Sequence, residues 1–325
     1  SIFDELKEAI RKKEEVDEQV RRVFDGTTLK KVLIIGPCSA DSAEPVLEYC
    51  HRLQKIQDTV KDKLILIPRI YTQKPRTNGT GYMGLMHSPD LKTEDLFEGI
   101  RAVRALHKSV LEEPGFGTAD EMLYPEEVRY VSDILSYVAV GARSTENQNH
   151  RLAASGLSCP VGMKNPTSGS LPVMVNSIIA ASKPHRFIYR GWDVTSKGNP
   201  LAHAILRGYN TRDLTKCKQN YHIEDLAECE KLLFENGVNQ SIVVDCSHAN
   251  SNKDFKEQGR IALEVLSSMK QRPSLAMNVK GFMIESYLKD GKQGMDGSEK
   301  GLSYTDPCIG WDKTVDVIGD IYNAL

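Results

Sequence analysis

The chain has 325 residues, 40% of them hydrophobic and 26% charged, with a formal net charge of −2 at pH 7. This is the balance of an ordinary soluble protein, and it supplies no global field for nucleic acid or an anionic membrane. The seven cysteines are scattered along the sequence, with no signal peptide or apolar span of membrane length. That pattern points to reduced thiols in a cytoplasmic protein, where a cysteine of interest is a ligand or a nucleophile.

In residues 1–30, Ile2, Leu6 and Ile10, then Val16, Val20 and Val23, recur at helical spacing among dense charges. The spacing predicts an N-terminal helical extension of one or two amphipathic helices ending near Asp25-Gly26. It reads as a solvated helix lying on the body, or else as a subunit contact or regulatory segment. From residue 31 onward, short apolar runs alternate with helical patterns. The runs are 32–35, 64–67, 116–119, 137–140, 160–163, 204–206, 242–244 and 282–284; helix-like segments include 43–56, 94–112, 125–136, 173–183, 224–236 and 254–270. This alternation predicts an α/β fold, a closed (β/α)8 TIM barrel forming one catalytic domain over 31–325. Residues 185–203 stand outside the pattern and predict a short inserted hairpin, with Phe187-Ile188-Tyr189 as an arm and Ser196-Lys197-Gly198-Asn199 as its turn.

The residues immediately after each apolar run point to function. The first run leads into Gly36-Pro37-Cys38-Ser39, and the second into Arg69 and Lys74-Pro75-Arg76-Thr77. The next four lead to Glu121, Arg143, Lys164 and Arg207, the seventh into Asp245-Cys246-Ser247-His248, and the last into Glu285. Barrel enzymes build their sites at the carboxyl ends of the strands, so these side chains are expected to converge on one mouth. Any one of them taken alone reads as a structural salt-bridge residue; the coincidence of all of them does not.

Sorted by chemistry, the set splits in two. Cys38, His248 and Glu285, with a carboxylate from Asp306 in the following loop, offer S, N and O donors. Such a mixture suits a borderline divalent transition metal, although scattered single ligands are a weak motif. Arg69, Lys74, Arg76, Arg143, Lys164 and Arg207 form the second group. Arginine presents a fork matched to phosphate and carboxylate, and lysine a point charge. A phosphate monoester carries roughly −1.5 to −2 near neutral pH, so these cations suffice for two phosphorylated substrates, one of them also a carboxylate.

The motifs Gly36-Pro37-Cys38-Ser39, Lys74-Pro75-Arg76-Thr77, Gly141-Ala142-Arg143-Ser144-Thr145-Glu146, Gly162-Met163-Lys164-Asn165 and Ser247-His248-Ala249-Asn250 occur in order. Gly281-Phe282-Met283-Ile284-Glu285-Ser286 and Thr305-Asp306-Pro307-Cys308-Ile309-Gly310-Trp311 come after them. Together, from about residue 31 to the end, the chain resembles the type I 3-deoxy-D-arabino-heptulosonate 7-phosphate (DAHP) synthases, the entry enzymes of the shikimate pathway. The resemblance implies metal-dependent condensation of phosphoenolpyruvate with erythrose 4-phosphate, in a homodimer or homotetramer. It implies one divalent metal (manganese, iron, cobalt or zinc) on Cys38, His248, Glu285 and Asp306. Arg69, Lys74, Glu121, Arg143, Lys164 and Arg207 fall where the family contacts phosphoenolpyruvate. Lys74, Pro75, Arg76 and Thr77 fall where it holds the aldose phosphate, Arg76 and Thr77 being matched to the phosphate itself. Lys74 is implied to meet a developing alkoxide, and Glu121 to position or deprotonate water.

The alternatives are a 3-deoxy-octulosonate 8-phosphate synthase, a metal-dependent aldolase and a non-catalytic effector-binding barrel. The Lys74-Pro75-Arg76-Thr77 loop favours the four-carbon aldose, an aldolase does not need so many cations, and a non-catalytic barrel should have lost a metal ligand. The stretch His150–Ser158 is similar to the segment lining the aromatic-amino-acid pocket of inhibited members, or else is a helix and loop joining strands four and five, which leaves phenylalanine, tyrosine or neither as the inhibitor; residues 1–30 look shorter than the leader of feedback-regulated bacterial members. Finally, Cys308, two residues after Asp306, is expected to place its thiol near Cys38, with neighbouring cations favouring the Cys38 thiolate even without metal.

Overall fold

The computed structural model describes residues 2–76 and 78–325, with side chains described from residue 8 onward. In chain order the elements are α1 (Ile2–Phe24), β1 (Lys31–Gly36), α2 (Ala43–Val60), β2 (Leu64–Pro68), α3 (Leu96–Glu112), β3 (Thr118–Glu121), α4 (Pro125–Val128), β4 (Leu135–Val140), α5 (Gln148–Gly156), β5 (Val161–Lys164) and α6 (Leu171–Ser182). They continue with β6 (Arg186–Tyr189), β7 (Trp192–Thr195), β8 (His203–Leu206), β9 (Tyr209–Asn210), β10 (Cys217–Lys218), α7 (Ile223–Glu235), β11 (Ile242–Asp245), α8 (Gln258–Gln271), α9 (Pro273–Asn278), β12 (Val279–Glu285) and α10 (Trp311–Ala324).

Eight strands pair in parallel in the order β2-β1-β12-β11-β8-β5-β4-β3. The ring closes between its first and last members through the isolated parallel bridge Arg69↔Ala119, where the Ile70 amide donates to the Ala119 carbonyl at 2.9 Å. This is the expected barrel. Its strands are buried on both faces and alternate with period two. Leu33, Ile35, Leu64 and Leu66 join the large cluster packed by the helices, while Val32, Ile34, Ile65 and Ile67 join a second cluster with Ile205, Val243 and Met283. Gly36 is required where β1 meets the next strand's end, because a Cβ there would lie 2.3 Å from the Arg69 carbonyl oxygen.

Residues 2–24 form one helix rather than two, and its last turn is not simply solvated. Val20, Val23 and Phe24 are buried within the second cluster. Phe24 stacks on His203 with ring centroids 4.1 Å apart, and its carbonyl accepts from Asn239 Nδ2 at 2.9 Å. The helix therefore plugs the amino-terminal end of the barrel.

Other boundaries differ from expectation for local reasons. The helix expected over 125–136 shrinks to α4, with turns from Arg129 to Ile134 leading into β4. The helix expected over 254–270 begins as the 3₁₀ turn Phe255–Glu257 and continues as α8, and Pro273 starts a separate α9. The inserted hairpin is present as β6–β7, but Tyr189 pairs with Trp192, so its turn is Arg190-Gly191 and not Ser196–Asn199. Both turn residues have positive φ, 56° and 78°, as a two-residue hairpin turn needs. A second small hairpin, β9–β10, comes after Arg207, and α10 completes the helical layer; neither stands out in the sequence pattern. Among the described residues, no helix is long and apolar enough to cross a membrane.

Candidate active site at the carboxyl-terminal mouth

Three of the expected donors come together at the strand ends. Cys38 Sγ, a Glu285 carboxylate oxygen and an Asp306 carboxylate oxygen all lie within 4.8 Å of one another. His248 Nε2 approaches from a fourth direction, 3.8 Å from Glu285 Oε1. The thiol sulfur and two carboxylate oxygens form the close group and His248 lies outside it; sulfur and oxygen donors with an imidazole nearby are a set that suits a borderline divalent ion. His248 itself has a left-handed backbone, φ 52°, an uncommon conformation for a residue with a side chain.

Beneath these groups lies a residue that the sequence places at a strand end but to which it assigns no role. Asp245, at the end of β11, is fully buried. It accepts from Lys164 Nζ at 3.0 Å and is bonded to His248 Nδ1 at 2.9 Å, fixing the ring so that Nε2 faces the other donors. Ser247 adds bonds to Asp245 from its amide (3.0 Å) and hydroxyl (2.7 Å). Burial opposes ionisation of Asp245, yet His248 and Lys164 outweigh it and hold the carboxyl well below its usual range. A signal for it exists in the sequence: an aspartate ends an apolar strand three residues before the proposed histidine ligand.

Arg69 is also fully enclosed. Its Nε donates to the Pro37 carbonyl at 3.0 Å, and its Nη2 to the Cys38 carbonyl and Glu285 Oε1, each at 3.2 Å. The guanidinium lies 3.8 Å from the Tyr71 ring centroid. Among the described residues, Arg69 Nη1 and Arg207 Nη1 are buried without a partner. Orphaned charged donors of this kind are what an anion pocket offers its ligand. Burial lowers the Arg207 guanidinium from its usual range; Asp245 opposes this and Arg143 adds to it, so Arg207 and Arg143 share one field. Arg143 lies exposed at the rim.

Lys74 and Arg76 follow β2 on the loop at the barrel's closure. The Lys74 amide donates to the Met83 carbonyl at 3.0 Å. Burial opposes its ammonium, but Cys38 and Glu285 outweigh this and raise it above the usual lysine range. Arg76 Nε is tied to the Tyr82 carbonyl at 2.9 Å, and Pro75 lies half-buried between them. Thr77 lies outside the described residues. Behind the loop, Asp120 accepts from the Thr72 amide at 3.0 Å and from the Glu121 amide at 2.7 Å, anchoring both neighbours. Glu121 rests against Gly141, where a Cβ would meet its Oε1 at 2.0 Å.

Asp306 is the most exposed of the three clustered donors; burial resists its ionisation, but Lys74 and His248 keep its carboxyl below the usual range. Cys308 sits beside Cys38 as expected, its sulfur accepting from the Cys38 amide at 3.4 Å. The expected thiolate is corrected. Burial pushes the Cys38 thiol up to about 11, Glu285 adds to the shift, and Lys74 and Arg69 do not reverse it. Burial thus opposes the thiolate at Cys38.

A second feature lies at the opposite end. A cavity of about 1260 Å³ is bounded by α1, the end of α5 and the β6–β7 hairpin, with Ser155, Gly156, Leu157 and Ser158 on one wall and Phe24 and Phe187 on others. Ala153 and residues 155–158, from the stretch that resembles an effector-lining segment, lie on its wall.

The comparisons with known proteins agree with the geometry. The model of a family described as the DAHP synthetase I family matches residues 8–318. The tyrosine-sensitive phospho-2-dehydro-3-deoxyheptonate aldolase of Salmonella typhimurium is 37% identical over 313 residues, 93% of this chain and 85% of its own. The phenylalanine-sensitive enzyme of Escherichia coli is 34% identical over 315 residues, 94% of this chain and 87% of its own. A solved phospho-2-dehydro-3-deoxyheptonate aldolase from Francisella tularensis SCHU S4 superposes with a TM-score of 0.90 at 28% identity, covering 97% of this chain and 92% of that one.

Proposed function

The chain belongs to the DAHP synthetase I family, and on that basis we propose that its barrel mouth condenses phosphoenolpyruvate, erythrose 4-phosphate and water into DAHP and phosphate. The observation that carries this reading is the meeting, at one mouth, of buried unpaired guanidinium donors with a sulfur and oxygen donor set. Cys38, His248, Glu285 and Asp306 are the residues to hold a divalent manganese, iron, cobalt or zinc ion. When bound, that ion supplies Lewis-acid polarisation of the aldehyde oxygen.

The chain's own groups do the rest. Arg69, Arg143, Lys164 and Arg207 hold the phosphate and carboxylate of phosphoenolpyruvate. Arg76, with Thr77, holds the aldose phosphate, and Pro75 stiffens their loop. Fixing two mutually repelling anions before reaction is the main catalytic resource, since the cations need no rearrangement in the transition state. C3 of phosphoenolpyruvate attacks the aldehyde carbon, and Lys74 donates a hydrogen bond to the oxygen that gains charge. Water adds to the cationic C2, positioned or deprotonated by Glu121, and the C2–O bond to the phosphate breaks, the phosphate leaving with that oxygen.

The test is release of inorganic phosphate from phosphoenolpyruvate, with and without erythrose 4-phosphate. Release is expected only with the aldose phosphate. Release without it, or a clear preference for a five-carbon aldose phosphate, overturns the reading; the latter outcome favours the octulosonate synthase.

The tyrosine- and phenylalanine-sensitive names of the relatives and the walls of the large cavity support an aromatic amino acid as inhibitor there. A homodimer or homotetramer is the assembly we assign, supported by exposed Ile188 and Trp192 on the inserted hairpin.

A further inference from the structure

Three buried asparagines meet behind the anion pocket, and the reaction gives them no direct part. Asn165 follows Lys164 at the end of β5, Asn220 lies just before α7, and Asn250 comes two residues after His248. A buried side-chain amide needs partners for its two donor hydrogens and its acceptor oxygen. Most of those partners lie in one stretch of backbone, residues 206–208. Asn165 Oδ1 accepts from the Arg207 amide at 2.9 Å, and its Nδ2 donates to the Gly208 carbonyl at 2.9 Å. Asn220 Oδ1 accepts from the Gly208 amide at 2.7 Å. Asn250 donates twice, from Nδ2 to the Leu206 carbonyl at 3.1 Å and from its amide to the Arg207 carbonyl at 3.2 Å. The asparagines are also joined to one another: Asn220 Nδ2 donates to Asn165 Oδ1 at 3.0 Å, and the Asn220 amide to Asn250 Oδ1 at 2.9 Å. Gly208 permits the fit, since at its φ of 72° a Cβ would lie 2.6 Å from the Asn250 nitrogen.

The residue in the middle of this clamp is Arg207. Among the described residues its guanidinium makes no hydrogen bond or ion pair, and Nη1 is buried without a partner. Arg69, by contrast, is aimed by bonds to Pro37, Cys38 and Glu285. Nothing at the far end of the Arg207 side chain sets its direction, so its backbone must. A long side chain gives up rotamer freedom when it grips an anion, and a root fixed in advance lowers that cost. We propose that Asn165, Asn220 and Asn250 are positioning residues that aim Arg207 at phosphoenolpyruvate by holding its backbone. This rests on the reading of Arg207 as a ligand of phosphoenolpyruvate and adds what keeps it ready. The strands β5, β8 and β11 are neighbours in the barrel, so the clamp also keeps Arg207 in register with Lys164 and His248. A device that aims a contact already made in the ground state acts on affinity before it acts on turnover.

The test uses metal-loaded enzyme as wild type, Asn220→Ala, Arg207→Ala and the double variant. Titration calorimetry reads phosphoenolpyruvate binding, and steady-state kinetics vary each substrate in turn. Asn220→Ala should weaken phosphoenolpyruvate binding about fivefold or more, as for lost hydrogen bonds. Its kcat and its KM for erythrose 4-phosphate should stay within about twofold of wild type. In the Arg207→Ala background the same change should weaken binding less than about twofold, because the group it aims is gone. Unchanged binding in Asn220→Ala overturns the proposal. So does an equal loss in kcat and both KM values, or the full loss repeated in the Arg207→Ala background, either of which makes the clamp a general structural element. Unchanged binding in Arg207→Ala, or no binding by the wild type, overturns instead the reading of Arg207 as a ligand. If Asn220→Ala does not fold, Asn220→Ser, which keeps a hydroxyl as acceptor and donor, enters the same cycle with the same outcomes.

Discussion

The two ends of this barrel are built from the same strands and held together by opposite means. At the carboxyl-terminal mouth, charges are buried in pairs, Arg69 with Glu285 at 3.2 Å and Lys164 with Asp245 at 3.0 Å, and buried guanidinium donors remain over. At the amino-terminal end, closure comes from packing: Phe24 lies over His203, and the Tyr137 hydroxyl meets His203 Nε2 at 2.7 Å. Removing one partner of a buried ion pair strands a charge, whereas trimming an apolar plug leaves a void. The mouth therefore gives up stability for chemistry, and the base restores it. Changes at the mouth should strike turnover first; changes at the base should strike folding first.

Metal removal separates the ends most sharply. Chelation is expected to abolish turnover, with recovery on adding manganese, iron, cobalt or zinc, while the melting transition remains cooperative. Full activity in a preparation shown by elemental analysis to be metal-free sinks the donor-set assignment. Next in size is Asp245→Asn, which leaves Lys164 and His248 without their common counter-charge. Its kcat/KM should fall by roughly 3–5 kcal/mol in transition-state terms, and a loss under about tenfold means that Asp245 is dispensable.

Arg76→Ala should weaken use of erythrose 4-phosphate by roughly 2–5 kcal/mol and move phosphoenolpyruvate affinity much less. Steady-state kinetics with each substrate varied would expose equal damage to both, the mark of a general structural loop. The smallest effect belongs to the base. Burial pushes the His203 imidazole down to about 4 from an ordinary 6.5, the Leu201 carbonyl opposing. Its folded value lies below its unfolded one, so it costs nothing above about pH 6.5 and removes stability as pH falls from there toward about 4. The loss should total about 3 kcal/mol. Denaturant titrations should show this slope flattened in His203→Gln; identical slopes in the two proteins count against it.

Much of the mouth was legible because strand ends are simple to read. An apolar run announces the strand, and the first charged residue after it lands at the mouth, which located Arg69, Lys164 and Glu285 alike. The role of Asp245 escaped because that residue belongs to the strand itself and works through its neighbours. Its role appears only when Lys164, from two strands away in the barrel, arrives at the same carboxylate. The plug escaped for a related reason: Val20, Val23 and Phe24 look like any amphipathic stripe, and nothing local says that the surface they cover is the inside of a barrel. The Cys38 thiol departs from expectation because residue types reveal nearby charges but not burial, and burial is the larger influence there.

The closure between β2 and β3 has a kinetic consequence. Elsewhere neighbouring strands share several register pairs, but here, among the described residues, they share one bridge. Local opening takes the route with the fewest bonds to break, so the ring should part at this clasp before any other interface loosens. The Ile70 amide, bonded across it, should lose protection from hydrogen exchange earlier than the amides of β1 or β12. The loop carrying Lys74 and Arg76 springs from the same point, so it can swing outward while Asp245, Lys164 and His248 stay seated on the far strands.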